Sequence, residues 1–342
     1  MKYDIKSMLL PELEEYLKSI DEQKFRAKQV FSWLHDGVVS FSEMTNISLE
    51  LREKLNNKFF ISVPQLIEKQ VSGADGTIKY LWRVLDGDMV ECVLMQYTHG
   101  HTLCISSQVG CKMGCTFCAS SLDGFKRDLF ASEMLDQILF SQKDENLRIS
   151  NVVLMGIGEP LDNFDNVMQF IRLINHPSGI NIGARHITIS TCGMVENIDR
   201  LADYDVQLTL AISLHAPDDE TRSLLIPMNR KTGVNELLKA GERYFEKTGR
   251  RITYEYALID DVNVSSVQAE LLSKLLKGTH YHLNLIFLSN VKDRVYKPAT
   301  NESAGNFIDI LDKNRVNYTI RRSLGTDIEA SCGQLRHRVL ST

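Results

Sequence analysis

The sequence predicts an α/β protein: a partial, open (βα)6 barrel preceded by a small N-terminal helical unit and joined to it by a linking β-meander. Three observations point there. From about residue 102, β-rich runs alternate with helical stretches, which implies right-handed parallel crossovers. Six such units can be read, too few for a closed eight-stranded barrel. Unusual polar residues recur at the ends of successive strands, the rim on which parallel α/β architectures bind ligands.

Residues 1–62 read as short amphipathic helices. Leu10, Leu13, Leu17 and Ile20 recur at helical spacing, and Phe31 and Leu34 precede a stop at Gly37. Ser48 is positioned to cap a helix carrying Leu51, Leu55 and Phe59. Lys24, Arg26, Lys28, Arg52, Lys54 and Lys58 punctuate these helices, but acidic residues are about as common, so the faces read equally well as solvated. Residues 63–100 carry Asp75-Gly76 and Asp86-Gly87, hairpin-turn signals flanking the β-rich runs 78–85 and 89–95. Within 101–342 the candidate strands are 102–106, 150–155, 185–190, 207–213, 251–258 and 281–287. Helices are expected between them, for example at 132–142, 195–202, 234–247 and 267–276.

A chain of 342 residues with 43% hydrophobic content can bury a sizeable core. No apolar run reaches membrane-spanning length, and Met1-Lys-Tyr-Asp-Ile-Lys lacks the apolar core of a signal peptide. A cytoplasmic location without membrane partners is therefore expected. The net charge of −5 does not announce a nucleic-acid binder, although local patches rather than bulk charge decide that. The seven cysteines, Cys92, Cys104, Cys111, Cys115, Cys118, Cys192 and Cys332, are in a reducing compartment better read as metal ligands, reactive thiols or core residues than as a disulfide framework.

The densest chemistry lies in Cys111-Lys-Met-Gly-Cys115-Thr-Phe-Cys118. Three thiolates can hold three irons of a cubane [4Fe–4S] cluster and leave the fourth open. An open iron can chelate an amine and a carboxylate, and S-adenosylmethionine has both. One electron would then cleave its sulfonium to a 5′-deoxyadenosyl radical. A structural zinc would want a fourth Cys or His nearby, and none follows within the next thirty residues. Glycine and lysine between the cysteines argue against plain core packing.

The next strand ends carry Met155-Gly156-Ile-Gly158-Glu159-Pro, Ser190-Thr-Cys192-Gly and Ser213-Leu214-His215-Ala-Pro. The glycines would let backbone approach a ligand. Glu159 could accept from an ammonium group, and Ser190, Ser213 and His215 could bind a carboxylate or ribose. Each also has a plain alternative: a tight turn for Gly-x-Gly-Glu, a helix cap for Ser190, a core histidine for His215. Their common rim favours one composite site.

These stretches resemble the radical S-adenosylmethionine adenine methyltransferases of the RlmN/Cfr type, over essentially the whole chain. The resemblance is carried by Thr102-Leu-Cys104-Ile-Ser-Ser-Gln-Val-Gly-Cys111, Met155-Gly-Ile-Gly-Glu-Pro-Leu, Arg185-His-Ile-Thr-Ile-Ser-Thr-Cys192-Gly, Ile212-Ser-Leu-His-Ala-Pro and Asp327-Ile-Glu-Ala-Ser-Cys332-Gly-Gln-Leu. The Gly-Glu-Pro-Leu and Ser-Thr-Cys-Gly-Met wording is closer to the RlmN branch. The resemblance implies a radical S-adenosylmethionine core at 101–342 and an RNA-binding accessory domain at 1–62. It implies a [4Fe–4S] cluster on Cys111, Cys115 and Cys118, and S-adenosylmethionine contacts at Gly158, Glu159, Ser190, Ser213, Leu214, His215 and Asn290. It further implies Cys332 as a methyl-carrying cysteine, Cys104 as its thiol partner and Glu91 as proton acceptor. Two stretches depart from the family pattern. Ser289 stands where an ungapped alignment expects the cofactor-binding Asn, with Asn290 one residue on, and Val264 replaces an Asp.

The implied substrates are an adenosine of 23S rRNA and one in the anticodon loop of certain tRNAs, methylated at C2, with C8 the Cfr-like alternative. Adenine C2 lies between two ring nitrogens and is too electron-poor to attack a sulfonium methyl, so a radical route is reasonable. As the resemblance has it, one adenosylmethionine methylates Cys332, and a second yields the radical that takes a hydrogen from that methyl. The methylene radical adds to adenine, the ring proton is lost, and Cys104 attacks the Cys332 sulfur, releasing product with a disulfide. An electron donor such as flavodoxin and a thiol reductant are the implied partners, and a monomer is expected. Arg315, Arg321, Arg322, Arg336 and Arg338 are candidate phosphate contacts, followed by Lys126-Arg127, Arg230-Lys231 and Arg250-Arg251. A non-catalytic iron–sulfur RNA-binding protein would not need the Glu159, Ser190 and His215 constellation. A radical enzyme acting on a small molecule would not need the arginines near Cys332.

Overall fold

The structure is a computed structural model and describes residues 2–330 except 205, 290, 292 and 293. Asn290, Cys332, Arg336 and Arg338 therefore lie outside the described residues. Ten strands form one sheet. They are β1 (Gln65–Val71), β2 (Ile78–Arg83), β3 (Met89–Tyr97), β4 (Gly100–Cys104), β5 (Ile149–Leu154), β6 (Ile187–Thr191), β7 (Thr209–Ser213), β8 (Ile252–Leu258), β9 (Tyr281–Phe287) and β10 (Tyr318–Ile320). The sheet runs from β1 to β10 in chain order. Strands β1–β4 pair antiparallel, and β4–β10 pair parallel.

The helices are α1 (Leu10–Ser19), α2 (Phe25–His35), α3 (Leu49–Lys58), α4 (Ala131–Glu145), α5 (Phe164–Asn175), α6 (Val195–Ala202), α7 (Asp219–Leu225), α8 (Asn229–Thr248, interrupted at Gly233), α9 (Ser266–Leu276) and α10 (Asn301–Lys313). Helices follow the parallel strands as crossovers. Strands such as β8 are covered on both faces and are accordingly almost wholly buried.

The predicted meander is present and goes further than linking: β3 hydrogen-bonds to β4 along its length and so extends the barrel sheet. A seventh, short parallel strand, β10, follows α10 and lies beside β9. Its three residues are too few to show a β-pattern in sequence. The predicted hairpin turns do occur, with Gly76 and Gly87 at positive φ. Ser48 caps α3 by accepting the Leu51 N–H at 3.3 Å, but Phe59 lies beyond the helix and pairs with Tyr3 instead.

The sheet is strongly curled. Arg321 follows β10 and Met155 follows β5, five inter-strand steps apart, which in a flat sheet would be roughly 24 Å. Yet Arg321 Nη1 lies 3.5 Å from Met155 Sδ. The parallel strands thus enclose a lumen into which alternate side chains point.

The N-terminal helices share one continuous core with the barrel. Buried Lys6 pairs with buried Asp136 of α4, whose other oxygen accepts from Ser62 Oγ at 2.7 Å. His35 of α2 is 5% exposed and packs on Phe31, with ring centroids 4.2 Å apart, and against Gly179. Burial, then neighbouring His176 and Lys6, lower its pKa to about 3. In the unfolded chain His35 would take up a proton near pH 6.5, whereas folded it takes one only near 3. The unfolded state therefore binds more protons in this window, so stability is full above about pH 6.5 and falls as pH drops towards 3. His35→Leu is expected to flatten this acid limb in thermal melts recorded from pH 7 to 4; an unchanged slope would contradict the assignment.

Candidate active site

The loop after β4 and the loop after β5 are zipped together. Gly156 N–H donates to Ile105 O at 3.0 Å, and Ile157 N–H donates to Ser106 Oγ at 2.9 Å. Ser106 Oγ in turn donates to the Glu91 carbonyl at 2.6 Å. Both glycines permit this contact. A Cβ on Gly156 would lie 2.6 Å from Ile105 O, and one on Gly158, at φ +110°, would lie 2.7 Å from the Gln108 Cβ.

Side chains then tie the next strand ends into one rim. Glu159 is buried, and its carboxylate accepts from Leu161 N–H at 3.0 Å and Cys192 N–H at 2.7 Å, joining the end of β5 to that of β6. Burial raises its pKa while these hydrogen bonds oppose the rise. Arg222 of α7 joins β6 to β7 by donating to the carbonyls of Cys192 and Ser213, at 2.6 and 2.8 Å, and of Leu214 at 3.0 Å. Leu214 and His215 donate their N–H groups to Glu255 O of β8, at 3.0 and 3.2 Å.

Ser190 lies within β6 beside Ala211 and does not cap α6; Thr191 Oγ1 accepts the Gly193 N–H at 3.1 Å instead. His215 is 5% exposed with φ +56°. Its Nδ1 accepts the Ala257 N–H at 2.9 Å, so its ring proton sits on Nε2. Burial, followed by Arg222, lowers its pKa to about 3 and keeps it neutral. Asn263 locks this corner by donating to the carbonyls of His215 and Ala257 and accepting from Ile259 N–H. Val264, the departure next to it, is a buried core residue. Ser289 is exposed.

The three-cysteine loop covers this rim. Thr116 N–H donates to Leu225 O at 2.9 Å, and its hydroxyl donates to Leu224 O at 2.9 Å, so the loop sits on the last turn of α7. Arg294 donates to Cys118 O at 3.1 and 2.6 Å. Phe117 meets His215 edge-on, with centroids 4.9 Å apart. The backbone is thus pinned while the thiols of Cys111, Cys115 and Cys118 are free and half-buried.

Burial pushes Cys111 up to about 12, with Cys118 adding to the rise, and also raises Cys115, which feels both Cys118 and Cys111. Among the described residues no trio of His, Cys, Asp or Glu side chains is gathered for a single metal ion. Three cysteines on one loop pinned by Thr116 and Arg294, with the neighbouring Cys192 buried and its backbone held by Glu159 and Arg222, suit a multi-iron body better than a tetrahedral zinc. The donor set fits a three-thiolate [4Fe–4S] cluster.

Inside the lumen, Cys104 at the end of β4 pairs with Val93, which places Glu91, two residues earlier on β3, on the same face. Burial pushes the Cys104 thiol up to about 11, Arg321 pulls it down and Glu91 pushes it up. Arg321 therefore belongs to the lumen, not to an outer phosphate patch. Lys126 and Arg127 are likewise committed, to Asp88 and to Asp86 with Glu133. Glu255, also buried, is aligned with Ser213 and Asn284 on adjacent strands, and Asn284 donates to it at 3.0 Å.

The chain leading to Cys332 is described as far as Ala330 and is clamped to the meander. Ser72 Oγ and Gly73 N–H donate to Asp327 at 2.7 and 2.9 Å, Gly325 N–H donates to Asp75 at 2.8 Å, and buried Lys79 donates to Glu329 O. Arg222, Glu255, Asn263 and Arg294 escaped the sequence reading, because nothing local separates a buried polar side chain from a surface one. Arg321→Met is expected to slow Cys104 alkylation and shift its pH profile upward. An unshifted profile would remove Arg321 from the neighbourhood of that thiol.

Residues 105–273 match the radical SAM superfamily, and residues 3–61 match the ribosomal RNA large subunit methyltransferase N-terminal domain. The chain is 51% identical over 336 residues to the probable dual-specificity RNA methyltransferase RlmN of Lachnoclostridium phytofermentans, covering 98% of this chain and 94% of that one. It is 50% identical over 339 residues to the like-named protein of Alkaliphilus oremlandii, covering 99% of each. A radical SAM methyltransferase from Sphaerobacter thermophilus superposes with a TM-score of 0.92 at 39% identity, covering 97% of this chain and 98% of that structure.

Proposed function

The chain belongs to the RlmN family of radical S-adenosylmethionine methyltransferases, and from that premise we propose that it methylates C2 of an adenosine in 23S rRNA and in tRNA through a methyl group carried on Cys332. The observation that carries the proposal is the convergence of three free thiols on a pinned loop with a lumen holding Cys104, Glu91 and Arg321. Cys111, Cys115 and Cys118 would hold the [4Fe–4S] cluster, and Glu159, Ser190, Ser213, Leu214 and His215 would line the adenosylmethionine site. Leu214 is wholly buried and would contribute backbone, whereas neutral His215 offers its Nε2–H. Gly158 acts at one remove, by letting the loop bearing Glu159 close on Gln108. When bound, the cluster supplies the electron that cleaves adenosylmethionine reductively.

The chain's own residues do the rest. Cys332 accepts and presents the methyl group. Glu91, on the Cys104 face of the lumen, takes the ring proton. Cys104 is protonated at rest and becomes nucleophilic as Arg321 stabilises its thiolate. Once the adduct radical has given back one electron, the Cys104 thiolate bonds to the sulfur of Cys332. The sulfur–carbon bond breaks with its electron pair staying on the RNA-bound carbon, and that carbon takes up a proton to become the methyl group. A thiol reductant then reopens the disulfide.

The 1–62 unit would serve RNA docking, with 63–100 joining it to the 101–342 core. A flavodoxin-type donor and a cytoplasmic setting follow from the same reading. Among the described residues no helix is long and apolar enough to cross a membrane. The test is reconstituted protein with methyl-labelled adenosylmethionine and RNA, followed by chromatography of the nucleosides. Label in 2-methyladenosine is expected; label in 8-methyladenosine would give the chain Cfr-like chemistry, and unlabelled RNA would refute the proposal.

A further inference from the structure

Arg222 is 1% exposed, and its guanidinium ends on neutral oxygens: Leu214 O, Cys192 O, Ser213 O, and Asn229 Oδ1 at 2.7 Å. Among the described residues it forms no ion pair. Asp219, whose charge it feels, is reached only through Asn229, whose Nδ2 donates to it at 2.9 Å, and Glu159 only through the backbone of Cys192. A buried cation without an anionic partner is costly. An uncharged amide could tie carbonyls together without that cost, so the charge itself calls for a use.

Its surroundings supply one. Cys115 and Cys192 both feel the charge of Arg222. Leu224 and Leu225, two and three residues further along α7, hold Thr116 of the three-cysteine loop. Leu225 and Ile226 pack with Cys111, Cys115 and Phe117 in one apolar floor. That loop faces the carbonyl end of α7, which by itself disfavours negative charge. Three thiolates holding a cluster place negative charge there, and reduction adds more.

We infer that Arg222 is the built-in counter-charge of the three-cysteine site, a fixed cation in its floor that favours ligation by thiolates and acceptance of an electron. The inference rests on the reading of Cys111, Cys115 and Cys118 as cluster ligands. Arg222 is a positioning residue, since four of its five N–H donors are spent on protein oxygens. A fixed cation acts strongly on a nearby redox group in an interior of low dielectric, and cluster potentials respond to local charge.

The test is an electron-paramagnetic-resonance redox titration of anaerobically reconstituted protein, read beside iron content and thermal melts. Arg222→Met is expected to load less iron and to make cluster reduction at least tenfold less favourable, a midpoint about 59 mV more negative for a one-electron couple. Arg222→Lys keeps the charge and should stay within about threefold of the parent equilibrium. A charge-swapped variant, Asp219→Asn with Asn229→Asp, keeps the oxygen on Nη1 and the net charge but sets an anion against the guanidinium. It should melt like the parent and shift the midpoint the same way as Arg222→Met. Parent midpoints in both Arg222→Met and the swapped variant would overturn the inference. A parent protein that loads no cluster would instead overturn the ligand reading beneath it.

Discussion

Alanine at any one of Cys111, Cys115 or Cys118 is expected to abolish iron loading and 5′-deoxyadenosine formation together. On the proposed reading the three thiols would be the whole protein donor set, and the loop bearing them is pinned by Thr116 and Arg294. A neighbouring residue cannot swing in to replace a lost ligand. The nearby spare thiol, Cys192, is buried, its N–H held by Glu159 and its carbonyl by Arg222. The fold should survive, because the apolar floor of Met113, Leu225, Ile226 and Ile259 does not depend on any one of these thiols. Iron analysis, a thermal melt and quantification of 5′-deoxyadenosine would check this. Full reductive cleavage by any of the three variants would contradict the assignment.

Cys104→Ala is expected to accumulate protein covalently joined to RNA, whereas Cys332→Ala forms neither adduct nor methylated RNA although its cluster still loads. On the proposed mechanism the two cysteines differ because one would carry carbon and the other would only resolve the adduct. Losing Cys104 leaves methylation of Cys332, hydrogen abstraction and ring addition possible, and removes the thiol that breaks the sulfur–carbon bond. Cys104 lies in the lumen within the influence of Arg321 and Glu91, which suits a resolving thiol better than a packing residue. Cys92 shows the contrast: it is buried against Trp82 and Ser141, with its thiol pushed up to about 12 by burial. A denaturing gel and mass spectrometry of the Cys332 peptide would read the outcome. Clean turnover by Cys104→Ala, without adduct, would reduce Cys104 to a strand residue.

What the sequence made legible followed from periodicity and from residues whose chemistry is unusual. The six predicted barrel strands and the helices of the N-terminal unit rest on hydrophobic spacing, and each lies within a few residues of its expected place. The turns at Gly76 and Gly87 follow from the Asp-Gly signal. Strand β10 was illegible because three residues carry no period, and its neighbour Arg321 consequently read as a surface charge. The curl of the sheet, not any local pattern, carries that guanidinium across to Met155. Gly156 and Gly158 were legible as glycines that something must approach closely. That the something is the Ile105–Gln108 backbone depends on two loops meeting in space. Arg222 and Asn263 were hidden for the same reason, since their partners come from elsewhere along the chain.

The most direct test of the account is nucleoside analysis of ribosomal and transfer RNA from cells with and without this gene. The account predicts 2-methyladenosine in both pools when the gene is present, its loss from both when the gene is deleted, and its return with the parent chain but not with Cys332→Ala. Unchanged 2-methyladenosine in both pools after deletion, or full restoration by Cys332→Ala, would contradict it.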